Sequence, residues 1–429
     1  MENKKKVTFV INSFYPDLSA TSQILTELTS ELQDDFDITV IASQPDDVSA
    51  SGRDIKIFEE GFLGKNKVIR IRLPKVDKNS KISRVKYIFS YFLLANVALW
   101  REKGTDVIFT ISQPPILGGL IGTIGKFFKR TKHVYNIHDF NPEQAAAVAY
   151  TKSGLILNVA KRLDNLTCRY ADHILLLGED MGETLSKRFR GKNVPGYSVI
   201  SNWTDEKEIV PLEKNNAEVA DFLIKNNLED KFVVMYSGNM GLYYDLENII
   251  QVAKEFDRDK SVVFLFIGEG AVKAKMQEYV NEENLRNVLF LPYQPKDFIR
   301  YSLNAADVHL VVNQKGIKGV SVPSKIYGVM AAGKPVLGVL EQGSEVDRLI
   351  AESGCGVRVE PQDYAGIARS IKLLRQMDKE SLKEMGLNGR VYLEQHLTKA
   401  TSINNYRDIL NAVSEKKESK QLQTQKANK

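Results

Sequence analysis

Along the chain, short runs of apolar residues alternate with longer amphipathic segments, and the whole alternation occurs twice. In the first half the apolar runs are Val7–Ile11, Ile38–Ala42, Val68–Arg72, Val107–Thr110, His133–Ile137, His173–Leu177 and Tyr197–Ile200. Runs this short and this apolar predict strands of a parallel sheet buried on both faces, with helices between them. After Asn202-Trp203 and a polar connector the rhythm restarts at Phe232–Tyr236, Val262–Ile267, Val288–Phe290, Val308–Val312, Val336–Leu340 and Gly356–Val359. The expected fold class is α/β, with two doubly wound, Rossmann-like domains over residues 1–203 and 204–400. Two such sheets place their strand ends, and with them any ligand, in the cleft between the domains. The tail 414–429 is charged and almost free of large apolar residues, so disorder is expected there.

Composition narrows the class. The 429 residues exceed one ordinary core, and 43% hydrophobic with 26% charged residues is the balance of a folded globular chain. Lys4-Lys5-Lys6 precedes only Val7–Ile11 before polar residues return, which reads as a first strand and not as a signal-peptide core; a cytoplasmic location is expected. Cys168 and Cys355, the two cysteines, lie too far apart in sequence to suggest a disulfide framework or a thiolate metal site.

The stretch "SVPSKIYGVMAAGKPVLG", Ser321 to Gly338, carries the most local information. Ser324 suits an N-cap, Gly333 suits the residue after a helix, and Pro335 falls where the helix has already ended. A short helix between two buried strands points its first N–H groups at the crevice, and Lys325 in its first turn could hold a phosphate. The alternative is a solvated lysine, with Gly328 easing helix packing. Three further loops follow strands in the same half. "YSGNMG" places Gly238, Asn239 and Gly241 before a helix, Gly268-Glu269-Gly270 follows the next strand, and "LPYQPKDF" offers Tyr293 and Gln294 between two prolines. Glycines at such points allow backbone to approach an anion. The first loop, "NSFYPDLSATSQ", lacks the glycine triplet of a dinucleotide fold, which disfavours a nicotinamide dehydrogenase.

These motifs, in this order, resemble the retaining GT-B glycosyltransferases of family 4, within it the bacterial enzymes of exopolysaccharide, capsule and lipopolysaccharide assembly. The resemblance runs from "FYPDLSATSQILTELTSEL" through "YNIHDFNPE", "SNW", "YSGNMG", "FIGEG" and "LPYQPKDF" to "VPSKIYGVMAAGKPV" and "GSEVDRLIAESGCGVRVEPQD", the last two being the most specific. It implies a C-terminal domain that binds a nucleotide sugar, an N-terminal domain that presents the acceptor, and a final helix, about 402–413, that returns to the first domain. It also implies that Gly238 to Gly241 and the Ser324-Lys325 turn contact the donor diphosphate, with Tyr293-Gln294 beside the base.

Three departures from the family pattern matter. The basic residues common after the position of Gly238 are missing, since Asn239 stands there and no basic residue follows through Asn248. That shifts diphosphate neutralisation to Lys325. Of two glutamates spaced seven apart in many members, the second falls at Gly328 and the first has no counterpart; Glu345 is the substitute candidate, with a helix-start carboxylate as the alternative. In place of a glycine pair, the first loop offers Ser19, Ala20, Thr21 and Ser22, of which Ser19, Thr21 and Ser22 are acceptor-side candidates.

On the N-terminal side, "NIHDFNPEQ" puts His138, Asp139 and Glu143 past a strand end. The resemblance implies that a histidine or acidic residue faces donor and acceptor there, with Glu143 on the acceptor side. It also implies that the leaving diphosphate accepts the acceptor's proton on one face, so no glycosidase-like carboxylate pair is needed. The protein must then stabilise charge on the leaving group, and His138, Asp139 and Lys325 are the catalytic candidates. Asp35-Phe36-Asp37 and Asp257-Arg258-Asp259 spell two-aspartate motifs but precede strands, so both read as solvated turns; no metal and no cofactor are expected.

From Lys65 to Lys86 the chain carries nine basic residues against Asp77 alone, and the uncharged, aromatic stretch Tyr87–Trp100 follows. Fourteen residues fall short of the roughly 20 that span a bilayer, but a basic flank beside an apolar helix suits an anionic membrane surface. A buried core helix with a solvated flank is the alternative. The formal net charge is only +5 and no nucleic-acid motif accompanies it, so no nucleic-acid partner is expected. The combined reading is a cytoplasmic, peripherally membrane-associated glycosyltransferase. It would move a sugar from a nucleotide diphosphate, uridine being the expected base, to a polyprenyl-diphosphate-linked glycan. A sugar-nucleotide 2-epimerase and a donor-binding scaffold without transfer are the rival readings.

Overall fold

A computed structural model describes residues 4–17, 19–45, 56–75, 80–148 and 153–427. Asp77 and Lys78 of the basic stretch lie outside the described residues.

The first sheet has eight strands: β1 (Lys6–Val10), β2 (Asp37–Ser43), β3 (Phe58–Leu63), β4 (Asn66–Ile71), β5 (Val107–Ile111), β6 (Lys132–Ile137), β7 (His173–Leu176) and β8 (Tyr197–Val199). Their order is β3-β4-β2-β1-β5-β6-β7-β8, parallel throughout except at the β3–β4 hairpin. The second sheet comprises β9 (Phe232–Ser237), β10 (Val262–Ile267), β11 (Val288–Leu291), β12 (Val308–Val312), β13 (Val336–Val339) and β14 (Gly356–Val359), in the order β11-β10-β9-β12-β13-β14 and all parallel. Every apolar run identified in the sequence forms a strand. The added strand, β3, reads FEEGFL, is exposed along most of its length and sits at the sheet edge, where nothing demands a continuous apolar run.

Strand order reverses between β1 and β5 in the first sheet and between β9 and β12 in the second. The crevice that opens at such a reversal is where α/β sheets hold ligands. Helices cover both faces. Ala20–Leu32 and the returning helix Lys399–Ala427 lie on one side of the first sheet, and Lys81–Arg101, Leu117–Lys129 and Gly154–Tyr170 on the other. The returning helix inserts Ile403, Tyr406, Leu410 and Val413 into the first domain's core beside Phe9 and Phe109. Burial of each such side chain contributes roughly 1.5–3 kcal/mol, which fixes the end of the chain to its beginning. The backbone of this helix is described to Ala427. A second cluster crosses the domain boundary, packing Tyr135, Ile137 and Phe140 against Val320, Tyr327 and Val346.

Candidate active site

At the second sheet's reversal, β9 runs into Gly238 (φ 139°) and β10 into Gly268 (φ 138°), a backbone conformation that side chains disfavour. A Cβ on Gly238 would lie 2.4 Å from Lys325 Cε, and one on Gly268 would lie 2.1 Å from the Gly238 carbonyl oxygen. Close backbone approach therefore requires Gly268, whereas Gly238 is required by its φ, since the end of the lysine could shift. The Gly238 and Met240 amides donate to the Ile267 and Glu269 carbonyls, both at 2.8 Å, so they extend the sheet. Those of Asn239 and Gly241 have no backbone partner among the described residues.

Lys325 is partly buried and holds its ammonium 4.2 Å from the Tyr244 ring centre and 5.1 Å from that of Tyr236. No carboxylate pairs with it among the described residues. Burial lowers its pKa to about 8. A cation held between two aromatic faces without a counter-ion is costly until an anion arrives. Gly333 ends the short helix Lys325–Ala331 at φ 61°, as its position implies. Ser324 differs from the N-cap expected: it already has helical angles (φ −62°, ψ −12°) and its hydroxyl caps nothing. The Tyr327 and Ile326 amides reach the Ser324 and Pro323 carbonyls instead, a tight opening turn that brings Lys325 to the edge of the crevice. At Gly328 a Cβ would touch only Leu303, at 3.5 Å, so packing does not demand glycine where the resemblance implies a glutamate.

From the first domain, the segment after β6 reaches the same place. Asp139 forms an isolated antiparallel bridge with Ser321, and the Phe140 amide donates to the Val320 carbonyl at 2.9 Å. The Asp139 carboxylate accepts from Gln144 (3.1 Å), burial raises its pKa, and its charge bears on the Tyr244 hydroxyl. Asp139 and Lys325 thus flank Tyr244 from opposite domains. His138 is buried, with its ring Nε2 3.2 Å from the Asn136 amide, which also donates to the Tyr406 hydroxyl at 3.0 Å. Burial lowers the His138 pKa to about 4, so the ring is neutral at physiological pH.

Other candidates are occupied or lie apart. Glu143 is held by Arg188 and Lys161, both at 3.0 Å, in an ion-pair network within the first domain; that is a correction to its acceptor-side assignment. The Glu345 carboxylate accepts from the Glu179 amide (3.0 Å) and pairs with Arg348 (2.6 Å), so it serves the domain junction, in contrast to the donor contact expected. Gln294 donates to the Pro292 carbonyl of its own loop at 3.0 Å. Tyr293 is 54% exposed, with its hydroxyl 3.4 Å from the Glu269 carbonyl, beside Gly268. Ser19 is exposed and Thr21 partly buried, while Ser22 is fully buried with its hydroxyl unpartnered. Among the described residues no group of three His, Cys, Asp or Glu side chains could hold a metal ion; Asp35 and Asp259 pair with Arg407 and Arg375. Sequence reasoning missed Tyr236 and Tyr244, although the two tyrosines bracket the glycine loop in "YSGNMGLYY". A separate cavity of about 750 Å³ opens at Glu183, Lys187, Gly343 and Arg348, and none of its lining residues belongs to the Lys325 cluster.

The model of the family described as Glycosyl transferases group 1 matches residues 220–392, which include Gly238, Tyr244, Gly268 and Lys325. The Pseudomonas aeruginosa protein "Probable glycosyltransferase WbjE" is 30% identical over 338 residues, spanning 78% of this chain and 82% of that protein. The chain belongs to the group 1 glycosyl transferases. A second relative of this glycosyl transferase is the Escherichia coli K12 protein "Putative colanic acid biosynthesis glycosyl transferase WcaI", 26% identical over 254 residues, 58% of this chain and 59% of that one. Its fold is GT-B. Among solved structures, Anabaena Alr3699/HepE in complex with UDP and glucose superposes with a TM-score of 0.68 over 95% of this chain and 100% of that one, at 14% identity.

Proposed function

We propose that this glycosyl transferase moves a sugar from a UDP-sugar to a lipid-linked glycan during assembly of a cell-surface polysaccharide, with the anomeric configuration retained. The observation that carries the reading is Lys325, a partly buried cation with no carboxylate partner among the described residues, held against Gly238 where the second sheet reverses its strand order. A diphosphate is the anion that suits it in a glycosyl transferase. The HepE complex supports uridine, the name of WbjE supports glycosyl transfer, and the name of WcaI supports a role in polysaccharide assembly.

In this reaction the bond between the sugar's anomeric carbon and the β-phosphate oxygen breaks, and its electron pair goes to the phosphate. Lys325 stabilises that charge as it develops, together with the Asn239 and Gly241 amides. The acceptor hydroxyl attacks the anomeric carbon from the same face and gives its proton to the departing phosphate oxygen. Asp139 and neutral His138 border the acceptor side and orient it without adding positive charge. No cofactor or metal ion enters this scheme.

A panel of nucleotide sugars, read by thermal shift and by release of nucleoside diphosphate with and without lipid extract, tests the reading. Stabilisation by a UDP-sugar with lipid-dependent UDP release is the expected result. Stabilisation without release on any lipid-linked acceptor would leave a donor-binding protein, and no stabilisation would sink the donor assignment.

A further inference from the structure

The helices Lys81–Arg101, Leu117–Lys129 and Gly154–Tyr170 pack side by side on one face of the first sheet. They lead into β5, β6 and β7, which advance in one direction across the sheet, and right-handed crossovers put all three on the same side. Their inner faces join the core through Tyr91, Ala95, Leu99, Ile121 and Cys168. Their outer faces are apolar as well. Ile82, Val85, Phe89, Leu93, Val97 and Trp100 recur every three or four residues and are 41–81% exposed. Leu155, Ile156, Val159, Leu163 and Leu166 form a second exposed stripe, and Phe127 and Phe128 stand between the two. A groove of about 300 Å³ between the first two helices is lined by Phe92, Val97, Trp100 and Phe128. Apolar exposure on this scale marks a contact surface.

Charge identifies the occupant. The three helices contain nine basic residues and one carboxylate, Asp164, which is buried against Arg188. Three of the nine are committed within the domain, Lys126 to Asp172, Lys161 to Glu143 and Lys129 to the Glu102 carbonyl. So is much of the basic stretch beginning at Lys65: Lys65 pairs with Asp34, Lys67 with Glu102, and Arg70 and Arg72 bond Ser43 and Gln44. A second copy docking through this face would set basic residues against basic residues. Ile82–Arg101 is long and apolar enough to cross a bilayer, but crossing would strip Tyr91, Ala95, Ala98 and Leu99 from the core.

We infer that this three-helix face is a docking surface for an anionic lipid bilayer, on which the first domain lies flat, and that Gly154–Tyr170 belongs to it as fully as Lys81–Arg101. An apolar face ringed by basic residues is what such a surface selects. The inference rests on the proposed lipid-linked acceptor for its purpose, though not for its observations. In chain order Lys81–Arg101 follows β4, and Gly154–Tyr170 follows Asn141–Ala147, the helix after β6 whose preceding segment bridges to Ser321 of the second domain.

The test sediments the full chain with vesicles of phosphatidylcholine alone and of phosphatidylcholine and phosphatidylglycerol in equal parts. Binding to the anionic vesicles, weakened by salt, is expected. In the variant L155S/I156S/V159S the partition coefficient should fall at least about tenfold while the UDP-induced thermal shift is unchanged. The variant W100S/F128S repeats the measurement at the other end of the face. Wild-type partitioning by both variants, or no vesicle binding by the wild type, overturns the inference, as does a lipid-free oligomer that the substitutions dissociate. Vesicle binding lost in the variants, without lipid-dependent UDP release by the wild type, upholds the surface and removes the acceptor reading.

Discussion

Asp180 and Glu345 cap each other's helices across the domain boundary. Asp180, in the first turn of Glu179–Arg188, accepts the Glu345 amide at 3.1 Å and the Gly319 amide at 2.9 Å, while Glu345, opening Glu345–Ser353, accepts the Glu179 amide at 3.0 Å. Two helix starts thus face each other, each supplied with a carboxylate by the other domain. The approach is close at Gly178, where a Cβ would lie 2.8 Å from Glu345 Cβ. The arrangement also brings two carboxylates together, and the Asp180 pKa is raised by burial and further by the Glu345 charge. Asp180→Ala should cost about 1–2 kcal/mol in chemical denaturation and speed hydrogen exchange at Gly319 and Glu345. Glu345→Gln should lower the Asp180 pKa, read by carboxyl NMR, and a double-mutant cycle should give non-additive stability changes. Independent effects at the two sites would dissolve the pair.

Lys325 should impose an alkaline limb on turnover. With its pKa lowered to about 8 from 10.5, the side chain carries its charge below pH ~8 and loses it above. Free-enzyme kcat/KM with saturating acceptor should therefore fall through one deprotonation near that pH. Lys325→Arg should move the limb out of the accessible range. Lys325→Met should remove most of the UDP-induced thermal shift yet stabilise the unliganded protein by roughly 1–3 kcal/mol, because the unfolded chain solvates the ammonium that the fold desolvates. An unaltered limb in Lys325→Arg would assign it to another group.

Legibility in the sequence followed burial. The parallel strands declared themselves because a strand covered on both faces must be apolar throughout, whereas edge strand β3, reading FEEGFL, had no such constraint. Gly238, Gly268 and Lys325 were readable because backbone approach and an unmatched charge each need a particular residue type. Glu143 and Glu345 misled for a common reason: a carboxylate beside a strand end looks the same in sequence whether it faces a ligand or an arginine. Arg188 and Arg348 answer them from 45 residues away and from the next helical turn. Tyr244 went unnoticed because an aromatic wall leaves no spacing signature.

Three histidines make the fold acid-sensitive. His133, His138 and His309 are buried, with pKa values lowered to about 3, 4 and 4. The stability this represents is complete above the unfolded value near 6.5 and is lost as pH falls toward 4, since the unfolded chain takes up protons that the folded chain refuses. With three such groups the slope should approach roughly 4 kcal/mol per pH unit near pH 5. Asp139 and Asp180, whose pKa values burial raises, oppose it at the acid end. Urea midpoints taken from neutral pH downward should show the decline, and His309→Asn should flatten it by about one proton. A flat profile above pH 5 would mean that these rings protonate in the folded state.

Arg188 joins stability to the domain contact. Its side chain is 1% exposed, lies 4.2 Å from the Phe140 ring centre, donates to Glu143 at 3.0 Å and pairs with Asp164, which also accepts the Tyr135 hydroxyl at 2.8 Å. Removing the guanidinium strands buried carboxylate charge, so Arg188→Ala should cost about 3–5 kcal/mol. Lysine neither forks to two carboxylates nor stacks flat on Phe140, so Arg188→Lys should recover only part of that. The loss should travel further, because the Phe140 amide holds the Val320 carbonyl of the opposite domain and Asp139 precedes it. Turnover should therefore fall in Arg188→Lys while the UDP-induced thermal shift, which reports the second domain, is retained. Glu143→Gln separates the structural role from an acceptor contact: lower thermal stability with unchanged acceptor KM follows from the ion-pair network, and a raised acceptor KM at unchanged stability would return Glu143 to the substrate.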